Sequence, residues 1–123
     1  IDYGYINKKM KNTLKSISKH SLSNVLENFG RSDITYDINF NLFERIIKKF
    51  GLKVGGITNQ KKFLQKLGIL ERAEIISKNL PFSEKANIYF RVKKLIDENA
   101  MGKLFKVMFV TKKNIKFKAG FKN

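Results

Sequence analysis

Cysteine and tryptophan are absent from this chain, and histidine and proline each occur once, as His20 and Pro81. Without cysteine there is no disulfide framework and no thiolate metal site. A single histidine rules against a histidine-built metal centre. No apolar run approaches the roughly 20 residues a helix needs to cross a bilayer, so no membrane span is expected. Arginine is scarce as well, limited to Arg31, Arg45, Arg72 and Arg91. The opening Ile1-Asp2-Tyr3-Gly4 has the character of neither a signal nor a transit peptide. It starts in the middle of a pattern, which fits a chain cut from a longer one.

What remains is a chain of 123 residues, enough for one domain, with a hydrophobic fraction of 42% that fits a globular protein. The formal net charge of +16 is carried almost wholly by lysine. Such a charge fits a nucleic-acid or acidic surface, or AT-rich codon use. Lysine, asparagine, isoleucine and phenylalanine are all abundant, and the lysines scatter over every expected solvent face. That pattern favours codon use and argues against a specific nucleic-acid partner.

Met101-Gly102-Lys103-Leu104-Phe105-Lys106-Val107-Met108-Phe109-Val110 organises the rest. The whole stretch reads as a buried strand, and from Leu104 to Val110 it is nearly all apolar, on both faces. The rest of the chain offers too little to enclose such a strand, so the chain is expected to be part of something larger. Ile1 to Tyr5 reads as the end of another strand. Thr13 to Ile17 and Asp33 to Ile38 read as strands within a polar, irregular stretch. His20 reads as a loop histidine bonded to backbone.

Leu42, Phe43, Ile46, Ile47 and Phe50 form one apolar stripe at helical spacing. Asn39 or Asn41 caps that helix, Glu44 completes a capping box with Asn41, and Gly51 stops it. Leu52 to Gly55 reads as a short strand, with Gly55-Gly56 as a plain turn. A second helix follows Thr58 or Asn59 and ends at Gly68. A third runs from about Ile69 to Lys78. Pro81 breaks the chain, and Ser83 caps a fourth helix striped by Ile88, Val92, Leu95 and Ile96. Residues 112–123 read as a frayed basic tail.

Several of these segments, in order, resemble the C-terminal half of the MidA family of S-adenosylmethionine-dependent methyltransferases. Gln60-x-x-Phe63-Leu64-x-x-x-Gly68-Ile69 with Arg72, and Met101-Gly102-x-Leu104-Phe105-Lys106-Val107, carry the likeness. Ile1-Asp2-Tyr3-Gly4, Asn12-Thr13-Leu14, His20 with Val25-Leu26, Gly30-x-x-Asp33-Ile34-Thr35 and Ile38-Asn39-Phe40 extend it over roughly residues 1–111. Asn12 and Asn39 stand where the family usually has aspartate, so a carboxylate role there is lost.

The resemblance implies an α/β fold. This chain would be the C-terminal part of a Rossmann-like, seven-stranded class I methyltransferase sheet, with an insertion and several covering helices. Residues 1–111 would be an incomplete methyltransferase segment. The family's glycine-rich cofactor loop precedes the segment resembled here. S-adenosylmethionine is therefore implied for the parent family and not for this chain alone. The implied partners are the N-terminal half of the same methyltransferase and a protein substrate. The family's mitochondrial member is a protein arginine methyltransferase that assists complex I assembly. The implied location is bacterial cytoplasm or, in a eukaryote, the mitochondrial matrix.

Methyl transfer needs an in-line acceptor and a shaped pocket more than acid–base chemistry. Asp2, Tyr3, His20, Asp33, Thr35 and Gln60 are the expected pocket residues. Asp2 and Asp33 would pair with a guanidinium, which matches the carboxylate fork, and Gln60 and His20 would orient it. An equally weighted reading has these polar groups pinning the insertion to the sheet. Three functions stay open on sequence alone: a methyltransferase segment inactive without its other half, a remnant of a split gene, and a small basic nucleic-acid-binding module.

Overall fold

A computed structural model describes residues 1–27, 30–113 and 119–121. In chain order the elements are β1 (Asp2–Tyr5), β2 (Lys15–Ser18), β3 (Ser21–Ser23), β4 (Asp33–Thr35), β5 (Ile38–Asn39) and α1 (Phe40–Lys49). β6 (Lys53–Asn59), α2 (Gln60–Lys66), α3 (Ile69–Ser77), α4 (Phe82–Ile96), α5 (Met101–Leu104) and β7 (Phe105–Thr111) complete them. The fold is α/β, with a mixed four-stranded sheet in the order β5-β1-β7-β6 and a separate three-stranded sheet in the order β3-β2-β4.

The apolar strand lies inside the main sheet. β7 is antiparallel to both β1 and β6, so those two flanking strands run the same way. Its Val107 is only 5% exposed. Met101 to Leu104, expected as the start of this strand, form α5 instead, and β7 begins at Phe105. Leu104 belongs to α5, whose tight approach to the end of α4 requires glycine: a Cβ on Gly102 would collide with the Ile96 carbonyl group. β5 is parallel to β1 but reaches only Gly4 and Tyr5. Among the described residues, the Asp2–Tyr3 edge of β1 faces no strand on that side.

Other boundaries differ from expectation for local reasons. Asp33 to Ile38 is two strands, because Tyr36 and Asp37 turn the chain from the outer sheet to the main one. β2 is shifted to Lys15–Ser18 and joins β3 through Lys19 and His20, with φ of 48° and 65°. Two left-handed residues in a two-residue connection are what a tight hairpin of this twist demands. Gly55-Gly56 is a bulge within the longer β6 and not a turn. The Phe109 and Phe121 rings lie where Cβ atoms of those two glycines would be.

Helix ends follow side-chain chemistry closely. Asn39 Oδ1 accepts the amides of Asn41 and Leu42 at 3.1 and 3.3 Å, capping α1. The expected Asn41–Glu44 box does not form; Glu44 is bound to Lys48 at 2.7 Å instead. Gly51, at φ 70°, closes the helix, with Leu52 N–H donating to the Ile47 carbonyl. Pro81 rather than Ser83 occupies the cap position of α4, and no side chain caps it. Asn39→Ala should lower stability by about 1 kcal/mol. Urea denaturation of the wild-type and substituted proteins, side by side, checks this; an unchanged midpoint would show that the cap is dispensable.

The core is thin. Phe40, Ile47, Ala73 and Val107 are its buried apolar residues among those described. Phe121 packs its ring on Phe63 at 5.3 Å and Phe109 at 6.3 Å. That part of the expected tail is therefore packed rather than frayed; residues 114–118 and 122–123 lie outside the described residues.

Candidate functional site

Parallel strands place their carboxyl ends together, and in open α/β sheets ligands sit beyond those ends. Here β1 ends at Tyr5 and β5 at Asn39, and α1 begins directly after. The segment between β1 and β2 folds over this end and is clamped to it. Thr13 Oγ1 accepts the Asp37 amide at 3.0 Å and donates to the Asp37 carbonyl at 3.5 Å. Tyr5 Oη accepts the Lys11 amide at 2.9 Å, and the Lys11 ammonium lies 5.3 Å from the ring centroid.

The result is a crevice of about 440 Å³ lined by Tyr5, Asn12, Thr13, Tyr36, Asp37, Leu42 and Phe43, among others. A second hollow of about 480 Å³ continues from it past Met10, Asn39 and Leu42 towards Lys8, Arg45 and Lys48. Across Asp37 lies a third cavity, about 310 Å³, with a charged wall of Lys15, Asp37, Glu98, Lys103 and Lys106. Asp37 thus stands between an aromatic lobe and a basic one, its carboxylate 3.5 Å from the Lys15 ammonium.

Lys106 Nζ donates to the Lys103 carbonyl and, at 3.5 Å, to that of Leu104. Burial, and then the charge of Lys103, hold its pKa below the ordinary lysine value. Glu98 is bound by Lys61 at 2.7 Å, and that hydrogen bond draws its carboxyl below the usual range. No group of three or more histidine, aspartate or glutamate side chains suited to a metal exists among the described residues.

The residues expected from sequence do not converge. Tyr3 stacks on Phe105 with centroids 4.0 Å apart and lines the charged cavity. Asp2 is exposed, opposite Lys106 in register, with its carboxylate accepting the Tyr3 amide at 2.8 Å. His20 sits in the exposed hairpin turn of the outer sheet. Asp33 and Thr35 lie exposed on β4, opposite Ile17 and Lys15. Gln60 is buried and donates to the Leu95 carbonyl at 2.9 Å, tying α2 to α4.

Sequence reasoning missed Tyr5, Asp37, Lys103 and Lys106. For Lys106 a signal existed: it is the one charged residue between Leu104 and Val110 in an otherwise apolar run. For Asp37 none did, because its place between two sheets depends on where the strand breaks.

Comparison with known proteins adds an independent line. Residues 1–58 match a family profile described as "Putative S-adenosyl-L-methionine-dependent methyltransferase". The mitochondrial protein arginine methyltransferase NDUFAF7 of Xenopus tropicalis is 29% identical over 110 residues, 89% of this chain and 25% of that protein. The Danio rerio protein of the same name is 28% identical over 110 residues, 89% of this chain and 26% of that protein. The chain thus spans about a quarter of the length of these curated relatives.

Two solved structures from Burkholderia thailandensis are similar in fold and sequence. One, an uncharacterized superfamily protein, superposes with a TM-score of 0.72 at 28% identity, covering 89% of this chain and 30% of that one. The other, described as a "likely methyl transferase" and bound to S-adenosyl-homocysteine, gives 0.70 at 28% identity with the same coverage.

Proposed function

We propose, from the relationship to MidA-family S-adenosylmethionine-dependent methyltransferases that these comparisons support, that this chain is the C-terminal segment of such an enzyme. In this reading it supplies the acceptor side of the active site and is inactive without a separate cofactor-binding half. The observation that carries the reading is the similarity to a solved relative holding S-adenosyl-homocysteine, of which this chain covers only 30%. The main sheet would continue across the open Asp2–Tyr3 edge of β1 into the seven-stranded sheet of the parent fold. Residues 1–111 would belong to that sheet and its helices.

The residues present do not fit the cofactor by themselves. A glycine-rich loop must let backbone approach its ligand closely. Here Gly55 and Gly56 are covered by phenylalanine rings, Gly4 by Phe40 and Gly102 by the end of α4. The cofactor therefore falls to the other half, and this chain's role is to shape the acceptor's path. Arginine is the acceptor named for the NDUFAF7 relatives, and a protein arginine is the acceptor proposed here. Asp37 on the crevice wall would meet its guanidinium, for which a carboxylate is the matched partner. Tyr5 and Tyr36 would flank it, since a guanidinium is attracted to aromatic faces. Tyr3 lies outside this crevice, on the wall of the charged cavity, and Gln60 would serve to hold α2 in place. By the same relationship the protein would work in the mitochondrial matrix in a eukaryote and in the cytoplasm in a bacterium.

Calorimetric titration with S-adenosylmethionine tests the division of labour. The chain alone should show no saturable heat, and the chain assembled with the N-terminal half of the methyltransferase should bind. Micromolar binding by the chain alone would overturn the assignment of the cofactor to the other half.

A further inference from the structure

The function proposed above leaves the charged cavity between β1 and α5 without a role. β7 places Lys106 there, half-buried, beside Lys103 and Lys15. Both carboxylates on the wall are engaged: Asp37 with Lys15 at 3.5 Å and Glu98 with Lys61 at 2.7 Å. Among the described residues, Lys103 and Lys106 have no carboxylate within ion-pair reach. The Lys103 and Lys106 ammonium groups repel each other across this partly desolvated space, Asp37 and Glu98 offset that only from beyond ion-pair distance, and an anion placed between the two lysines would relieve the rest. Lys106 gives protons to two carbonyls; an ammonium has three, so one is left for a ligand. Tyr3, stacked on Phe105, forms part of the same wall. The cavity, at about 310 Å³, has room for a carboxylate or phosphate group with its water.

We propose that this cavity is an oxyanion subsite, taking a carboxylate or phosphate group, with Lys106 and Lys103 as its ligands. The anion site stands on its own charges; only its assignment to a protein carboxylate rests on the proposed function. Its position across Asp37 from the aromatic crevice means that an acidic residue beside an acceptor arginine would reach it. A free phosphate offers the same chemistry.

Residue-resolved lysine acylation of the full chain, read by mass spectrometry, tests the site without any cofactor. Acylation needs the neutral amine, and an anion in contact raises the lysine pKa by about one unit or more, so labelling should slow about tenfold. Inorganic phosphate should therefore protect Lys103 and Lys106, while chloride at equal ionic strength should not, and Lys85 on α4 should be indifferent to both. Lys106→Gln should abolish the phosphate protection of Lys103. Two peptides then separate the sources. Protection by an arginine peptide with flanking glutamates, and not by its glutamine analogue, assigns the site to a protein carboxylate. Protection by phosphate alone assigns it to free phosphate. Equal labelling in phosphate and chloride, with the sheet shown to be formed by slow amide exchange along β7, would overturn the site. Fast exchange along β7 both in the chain alone and in the chain assembled with the N-terminal half would overturn the cavity itself.

Discussion

Purified alone, the chain is expected to self-associate and to melt without a sharp cooperative transition, and the N-terminal half of the methyltransferase is expected to correct both. Its accessible surface is 9814 Å², whereas a folded monomer of its mass exposes about 6,800 Å². Large apolar side chains are among the exposed residues. On α1 Leu42, Phe43 and Ile46 are exposed, and Phe50 just after it is exposed by 78%. Tyr36, Leu14, Ile34 and Leu22 add to this. Leu14, Tyr36, Leu42, Phe43 and Ile46 line one crevice, exposed apolar surface of this kind drives association, and the open edge of β1 is a template for strand pairing. The net charge of +16 opposes aggregation through repulsion, so small oligomers are expected more than precipitate. Sedimentation velocity and thermal melting are the tests. A monodisperse monomer with a sharp melt, unaltered by the other half, would show that these residues form a self-sufficient domain.

Gly4→Ala is expected to be the most damaging small substitution at the candidate site. A Cβ at Gly4 would strike the Ile38 carbonyl oxygen and sit 2.5 Å from Cε2 of Phe40. Neither obstacle is a flexible side-chain tip: one is the paired strand β5, the other a ring that is 3% exposed. Overpacking of this kind costs about 1–3 kcal/mol. In a core this thin that is a large share of the total, since domains are stable by only about 5–15 kcal/mol. β5 would be pushed from β1, and the crevice at their shared end would open. Gly30→Ala is the contrast. It has a positive φ of 72° but nothing within 4 Å, so it carries only backbone strain of about 1–2 kcal/mol. Denaturation midpoints of the reassembled protein should therefore fall further for Gly4→Ala than for Gly30→Ala. The reverse order would mean that the β1–β5 contact is looser than described.

Helices α1 to α4 were legible in the sequence from their punctuation and apolar spacing, whereas the short α5 was read as strand. Gly51 and Gly68 stop two of them, Asn39 and Asn59 start two, and apolar residues recur at helical spacing between. The place of the central strand was legible from its nearly unbroken apolar run, but its burial was not: within Phe105–Thr111 only Val107 is buried, and Leu104 lies in α5. What was not legible depended on distant partners. Gly55-Gly56 looks like a turn until Phe109 and Phe121 are seen to need the space above β6. Asp33 to Ile38 alternates like one strand, and only the two sheets decide that Tyr36 and Asp37 turn between them. The same applies to the site. Asp2, His20, Asp33 and Thr35 are residue types that carry chemistry, but the fold spreads them over two sheets. Asp37 acquires its place through Thr13 and Lys15, which lie more than twenty residues away in sequence.

The most direct test of the account is methyl transfer by the reassembled enzyme. The chain, the N-terminal half and their mixture would each be given S-adenosylmethionine with a labelled methyl group and a protein extract as acceptor. The account predicts label in protein only with the mixture, recovered as methylarginine on hydrolysis, and lost when Asp37→Ala is introduced. Transfer by the chain alone, or transfer by the N-terminal half that is indifferent to the chain, would contradict it.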